Sequence, residues 1–495
     1  MRDHHRIAII GAGFSGLGMA IRLKQQGIHD FVVLERADDV GGTWQANTYP
    51  GCGCDVPSHL YSFSFAPNPN WSRTYSLQPE IWEYMRDCSR RYGVEPHIRF
   101  RCEVEEAAWD EDAQVWRIET SQGPVTANVV VAGMGPLAEP KLPDIPGIET
   151  FKGRAFHSAR WDHDHDITGK RVAVVGTGAS AIQIVPAIQP RVAKLKVFQR
   201  TPPWIVPRRT DREITELEKR LYRAFPALTK IPRAVTYVAR ELLVLGLAKD
   251  PRLMKIPEAV ALRHLRRQVR DPELRRKLTP DYSIGCKRIL PSDDWYPALQ
   301  QPNVELVDQG VKAVTETGLV AADGSEHEVD TIVFATGFHV TDMPIGQKVR
   351  GRGGVLLDDV WRGSPQAYLG ATVAGFPNMF TLIGPNTGLG HSSMVYMIES
   401  QIRYVLDALR VMDERGLTSV EVRQDVQDAY NAELQAKMPK TVWMSGCASW
   451  YIDANGRNTT IWPDFTFRFR KRTARFDVEH YEVSTKVPEP VPAAA

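Results

Sequence analysis

Two stretches of this chain carry the same order of apolar and polar positions. Arg6–Ile10 and Arg171–Val175 read RIAII and RVAVV, short apolar runs without alternation. Each leads through glycines into a segment with apolar residues at helical spacing, FSGLGMAIRL from Phe14 and AIQIVPAI from Ala181. Each then reaches a further short run, FVVLE at Phe31–Glu35 and LKVFQR at Leu195–Arg200. Runs this short and apolar fit strands covered on both faces, as in a parallel sheet, and the helical period between them fits a helix packed over that sheet. The repeated strand–helix–strand order predicts an α/β fold with two doubly wound, Rossmann-like dinucleotide-binding domains.

The glycines give these units a chemistry. Gly11, Gly13 and Gly16 form GxGxxG, and Gly176, Gly178 and Ala181 form GxGxxA. The first glycine permits the tight turn, the second lets backbone approach a pyrophosphate, and the third position lets helix pack on strand, with the phosphates at the helix N-terminus. Ser180 adds a hydroxyl beside the second turn. Glu35 lies 19 positions after Gly16, and Arg200 lies 19 after Ala181, so one structural slot holds an acid in the first unit and a base in the second. A carboxylate there accepts ribose hydroxyls and repels a 2′-phosphate, whereas Arg pairs with it, and Thr201 offers a further donor. The first domain is expected to hold FAD and the second NADP(H), since two nicotinamide cofactors would have nothing to exchange with.

The rest of the chain is arranged around these units. Residues 1–140 are expected to form the first part of the FAD-binding domain and 141–162 a Pro/Gly linker. Residues 163–340 form the NADP-binding domain, interrupted by a charged helical insertion at about 211–278. Residues 341–487 return to complete the FAD-binding domain, and 488–495 form a disordered tail. The chain of 495 residues suits two or three domains, and its 43% hydrophobic and 24% charged residues exclude a disordered or fibrous protein. A net charge of +2 gives no global field for nucleic acid. The apolar stretch AVTYVARELLVLGLA, Ala234–Ala248, contains Arg240 and Glu241 and is too short to span a bilayer. A cytoplasmic enzyme with no stable membrane insertion and no obligatory protein partner is expected.

Two further motifs narrow the function by resemblance. FKGRAFHSARWD at Phe151–Asp162 resembles the fingerprint of type I Baeyer–Villiger monooxygenases, class B flavoprotein monooxygenases, and GGTWQANTYPGCGCD at Gly41–Asp55 resembles that family's second signature. The likeness runs through ATGF at Ala335–Phe338 to Gly456–Pro463, and CDVPSHLYSFSF is closer to the hydroxyacetophenone monooxygenase branch. The resemblance implies that NADPH reduces the flavin, that O2 adds to form a flavin C4a-peroxide, and that this attacks a ketone through a tetrahedral adduct to give an ester or lactone. Sulfides are possible second substrates. In that family a catalytic arginine follows a lysine in a segment matching GCKRILPSDDWYPAL, Gly285–Leu299, which implies Arg288 as the catalytic cation, Asp55 as its orienting partner and Lys287 as a contact to the 2′-phosphate. It also implies Gly42, Thr43, Trp44 and Tyr49 beside the flavin, Trp450 reaching the NADP, and Phe151, Gly153, His157, Trp161 and Asp162 as linker anchors around a hinge.

Other classes stay open at this level. A flavin-dependent N- or S-oxygenase shares most of these motifs. A disulfide reductase would need the CxC of Cys52 and Cys54 to cycle, yet such pairs stand as CxxxxC or CxxC on a helix. A redox sensor would bind both cofactors without turnover. DHDHD at Asp162–Asp166 is a solvated linker segment and no metal is expected. Arg200→Ala should raise KM for NADPH at least tenfold while leaving that for NADH nearly unchanged, because a charge-assisted contact is worth about 1.5–3 kcal/mol. Steady-state kinetics with both nucleotides checks this, and equal effects would show the slot misassigned.

Overall fold

The computed structural model describes residues 3–137, 139–208 and 210–485. The expected 488–495 tail lies outside them. The apolar runs become the middle of two parallel sheets. In the first, Asp3–Ile10 lies between Phe31–Leu34 and Val125–Ala132 and is parallel to both. Ile7–Ile10 and Phe31–Leu34 are wholly buried, the consequence of sheet faces covered on both sides. The sheet extends through Val115–Thr120 and Val104–Asp110 as an antiparallel meander. The return segment supplies two short strands to it, Val349–Arg350 beside Ala107–Ala108 and Met379–Thr381 beside Val130–Ala132. Its helix Met394–Arg415 then packs on the first fingerprint helix, Phe14–Gln25.

The second sheet has the order Val304–Val307, Lys194–Phe198, Arg171–Val175, Thr331–Phe334, Arg154–His157, all parallel. One expectation is corrected here. Residues 154–157 were assigned to a linker, but Arg154–His157 is the edge strand of this sheet, register-paired with Thr331–Phe334. The Pro/Gly-rich run before it masked a four-residue strand buried only at His157, which does not read as a buried run. The fingerprint glycine there answers a lack of space: a Cβ on Gly153 would lie 2.5 Å from the Asp330 carbonyl oxygen and 2.5 Å from the Phe151 ring.

Within 211–278 stand the helices Glu216–Ala224, Lys230–Glu241, Lys255–Gln268 and Pro272–Lys277. Thr215 caps the first of them in a reciprocal capping box with Glu218. The helix Lys230–Glu241 reaches back to the first domain: Arg233 donates to the Ser62 and His59 carbonyls at 2.8 and 3.0 Å, and Tyr237 stacks on Tyr396 at 4.9 Å.

The two nucleotide-binding units meet directly. Gln183, on the second fingerprint helix Ala181–Ile188, accepts from the Tyr49 hydroxyl at 3.0 Å and donates to the Gly53 carbonyl at 2.9 Å. A Cβ on Gly51 would sit 2.5 Å from the Gln183 carbonyl oxygen, so that helix rests on the YPG turn of the first domain. A disulfide between Cys286 and Cys447 joins the segment before Arg288 to the loop before Trp450. Two cysteines 161 residues apart gave no sequence signal of pairing.

Candidate active site

Each fingerprint turn presents backbone where a nucleotide would lie. Gly11 has φ +93° and Gly176 φ +115°, the left-handed turn that the first position needs. A Cβ on Gly16 would lie 1.8 Å from the Gly11 carbonyl oxygen, which explains the third glycine as a packing requirement. The helix that follows begins at Gly13 with no side-chain cap and no acid in its first turn, so its free N–H groups remain available to an anion. Gly42, with φ +53°, faces Gly13 closely, and the short helix Thr43–Ala46 starts there, placing Thr43 and Trp44 beside the same turn. Glu35 is buried, and its carboxylate accepts from the Ala12 and Ala37 amides at 2.6 and 2.8 Å. These bonds fix it against the turn. The second turn has the same form. Its helix has Ser180 at the N-cap with no side-chain cap bond, the space over Gly178 is open, and Ala181 is fully buried. Arg200 ends the second strand exposed, next to Thr201, whose carbonyl accepts from Thr177. Lys287 lies near enough to Arg200 for the two cations to repel: burial first, then Arg200, lowers the Lys287 pKa. Two cations facing one place suit a phosphate dianion.

The central pair joins the second signature of the first domain to the segment that follows the insertion. Arg288 donates to Asp55 in fork fashion, Nε to Oδ2 and Nη2 to Oδ1, both at 2.7 Å, across 233 positions of sequence. Its Nη1 points to the Leu389 carbonyl at 3.4 Å. Burial alone would raise the Asp55 pKa, but the charge and hydrogen bonds of Arg288, then Arg240 and Arg208, outweigh it and hold the carboxyl below its ordinary value. Asp55 in turn raises the pKa of Arg288. The pair is therefore ionised at any working pH.

The sequence reading missed the groups that hold this pair. Arg240 donates to the Asp55 carbonyl at 3.1 Å and Arg208 to the Cys54 carbonyl at 2.8 Å. Glu241, fully buried, accepts from the Thr466 amide and hydroxyl at 2.9 and 2.6 Å and meets His391 at 3.2 Å. Both Arg240 and Glu241 stood out only as charges interrupting an apolar stretch, which is the one signal that could have found them. Tyr451 is 1% exposed, and Arg288 acts on its hydroxyl, partly offsetting the rise in pKa that burial causes. The buried Ser392 hydroxyl and one nitrogen of His391 are unpartnered, leaving donors and acceptors for a bound molecule.

Several expected residues take different surroundings. Tyr49 is buried, and its hydroxyl donates to Gln183 of the second fingerprint helix at 3.0 Å. Trp44 is buried and donates to the Tyr61 hydroxyl at 3.1 Å. Trp450 is 44% exposed and packs on Tyr451. His157 is buried and accepts from the Ala159 amide at 3.1 Å, with its ring edge-on to Phe338 of the ATGF segment. Trp161 packs edge-to-face on Phe156, and Asp162 pairs with Arg154 at 2.6 Å. Cys52 and Cys54 are both free and buried, and burial pushes the Cys52 thiol up to about 12 and Cys54 higher. Burial of both thiols disfavours the thiolate that the nucleophile of a disulfide reductase needs.

Residues 4–224 match a family described as flavin-binding monooxygenase-like. A Baeyer–Villiger monooxygenase of Streptomyces coelicolor is 54% identical over 100% of this chain and 96% of its own length. A protein of the same name from Pseudomonas aeruginosa is 53% identical over 97% of this chain and 92% of its own. The chain belongs to this family of flavin-binding monooxygenases. Among solved structures, a closed form of cyclohexanone monooxygenase superposes with a TM-score of 0.87 at 28% identity, covering 98% of this chain and 100% of that one. An oxidised steroid monooxygenase bound to NADP gives 0.86 at 30%, with the same coverage. The fold the two repeated units predicted is therefore the family's fold.

The buried histidines make the structure sensitive to acid. Burial depresses His157 from 6.5 to about 4, and His59 likewise to about 4. The unfolded chain thus takes up these protons first as pH falls. Their stabilisation is complete above about pH 6.5 and is lost toward pH 4, at up to about 1.4 kcal/mol per unit per histidine. His157→Gln should flatten the melting temperature against pH across that window, and an unchanged slope would contradict the assignment.

Proposed function

We propose that this protein is an FAD- and NADPH-dependent Baeyer–Villiger monooxygenase that converts ketones to esters or lactones with O2. The observation that carries the proposal is the Asp55–Arg288 pair, a permanent cation fixed by a carboxylate of the second signature, in a chain with two dinucleotide fingerprints followed by an acid in one and a base in the other. Relatives at 54% and 53% identity that carry the Baeyer–Villiger name support it, as does a solved neighbour in complex with FAD and NADP at a TM-score of 0.88. The segment Cys54–Phe65 supports a place near the hydroxyacetophenone branch. We place the enzyme in the cytoplasm, where NADPH is supplied. No helix among the described residues is long and apolar enough to cross a membrane.

In this reading Gly11, Gly13, Gly16, Gly42, Thr43 and Trp44 hold the flavin's pyrophosphate and ring end, with Glu35 on its ribose. Gly176, Gly178, Ser180 and Ala181 hold the NADP pyrophosphate, Arg200, Thr201 and Lys287 its 2′-phosphate, and Trp450 closes over it. Bound FAD would accept hydride from NADPH and pass the electrons to O2, supplying the oxygen atom that the ketone receives. The protein's part is to keep water out and to stabilise negative charge as it grows on oxygen. Arg288 meets that need because a guanidinium does not deprotonate. Asp55 holds two of its N–H groups and the Leu389 carbonyl a third, which leaves two of the five for the reacting oxygen. Arg240 and Arg208 keep Asp55 charged and immobile. Pre-oriented charge of this kind needs no rearrangement when the carbonyl is attacked, which is where its catalytic value lies.

The test is oxygenation itself. Purified holoenzyme, NADPH and isotopically heavy O2 are incubated with cyclohexanone, acetophenone and long-chain methyl ketones, and products are read by mass spectrometry. An ester or lactone carrying one heavy oxygen is expected from at least one ketone. NADPH consumption with hydrogen peroxide as the only product would contradict the proposal.

A further inference from the structure

The insertion helix Lys230–Glu241 is inside out. Its polar side chains turn toward the protein: Arg233 to the Ser62 carbonyl, Arg240 to the Asp55 carbonyl, and buried Glu241 to Thr466. Its apolar side chains face solvent. Ile231, Val235, Val238 and Leu242 recur at helical spacing and are 59%, 65%, 57% and 59% exposed. A surface helix in a globular protein has the opposite arrangement. The neighbouring elements continue the face, with Leu217 and Phe225 before it and Leu253 and Ile256 after it, at 68%, 60%, 44% and 68% exposure. Isolated exposed aliphatics are ordinary, whereas a row of them on consecutive elements marks a contact surface.

Charge indicates what covers it. Residues 211–278 contain 17 Lys and Arg against nine Asp and Glu, a net +8 in a chain whose total is +2. Arg220 and Lys230, on and next to these elements, are exposed, as are Arg223, Arg252 and Lys255, which pair with Glu216, Asp250 and Glu258. A second copy of this chain would bring a like charge against this one. An anionic bilayer surface offers both partners together: acyl chains for the aliphatic row and headgroup phosphates for the basic residues.

We propose that the insertion is a docking face by which the enzyme lies on an anionic membrane surface, without spanning it. The helix that meets the lipid is the one that donates Arg240 to Asp55, so the docking face and the central ion pair occupy opposite sides of one element. An enzyme seated this way draws on ketones dissolved in the bilayer.

The experiment is co-sedimentation of the full-length holoenzyme with vesicles of phosphatidylglycerol and phosphatidylcholine, and with phosphatidylcholine alone. Expected is binding to the anionic vesicles that weakens with salt, and at least a tenfold loss of affinity in the double variant Val235→Glu, Val238→Glu. That variant replaces only exposed side chains and should keep wild-type FAD content and melting temperature. Enzyme left in the supernatant with anionic vesicles overturns the proposal, as does vesicle binding that the double variant retains. Light scattering that shows a dimer dissociated by the same variant, without vesicle binding, overturns it in favour of self-association.

Discussion

A permanent positive charge held in a partly buried place, where four distant segments of the chain meet, is the constraint on which the rest of this structure depends. Such a charge is costly to remove from water unless a carboxylate and further hydrogen bonds compensate it. Asp55 compensates Arg288 in fork geometry. Asp55 needs support in turn, since its own burial favours the neutral form, and the charges of Arg240 and Arg208 supply it. The site is thus a chain of compensations in which each charged group is fixed by the next, and the last lies on a helix outside both nucleotide-binding sheets.

This explains why the parts of the chain are so interleaved. Asp55 comes from the first nucleotide-binding unit, Arg288 from the segment after the insertion, Arg240 from the insertion, and the Leu389 carbonyl from the return segment. None of these positions is close in sequence, so the pair exists only when all four segments are packed. Gln183, bridging the second fingerprint helix to Tyr49 and Gly53, and the Cys286–Cys447 disulfide tie the same segments together from the outside. His157, on the edge strand of the second sheet, meets Phe338 of the ATGF segment edge-on.

The legible part of the sequence was the part governed by local rules. Buried parallel strands, left-handed glycine turns and the acid or base at a strand end depend on few neighbours, and RIAIIGAGFSG and RVAVVGTGAS declare them. Arg288 and Asp55 came from resemblance, and their mutual geometry agrees with it. The groups around them were illegible for a physical reason: Arg240, Glu241, Gln183 and Tyr451 act through partners more than a hundred positions away, or through burial that composition does not reveal. Arg154–His157 does not read as a strand because this edge strand is buried only at His157 and follows a proline-rich run. The outward apolar row of Lys230–Glu241 was visible as a helical period, but the period does not say which face turns inward.

The most direct test of the central claim is the yield of ester per NADPH oxidised by Arg288→Ala holoenzyme, taken beside its binding constant for NADPH. If the cation held by Asp55 stabilises charge on the reacting oxygen, ester should fall by about 100-fold or more while NADPH still binds and flavin is still reduced. Wild-type ester yield from that variant would show that the pair is structural, and that the oxygen chemistry is supported by other groups.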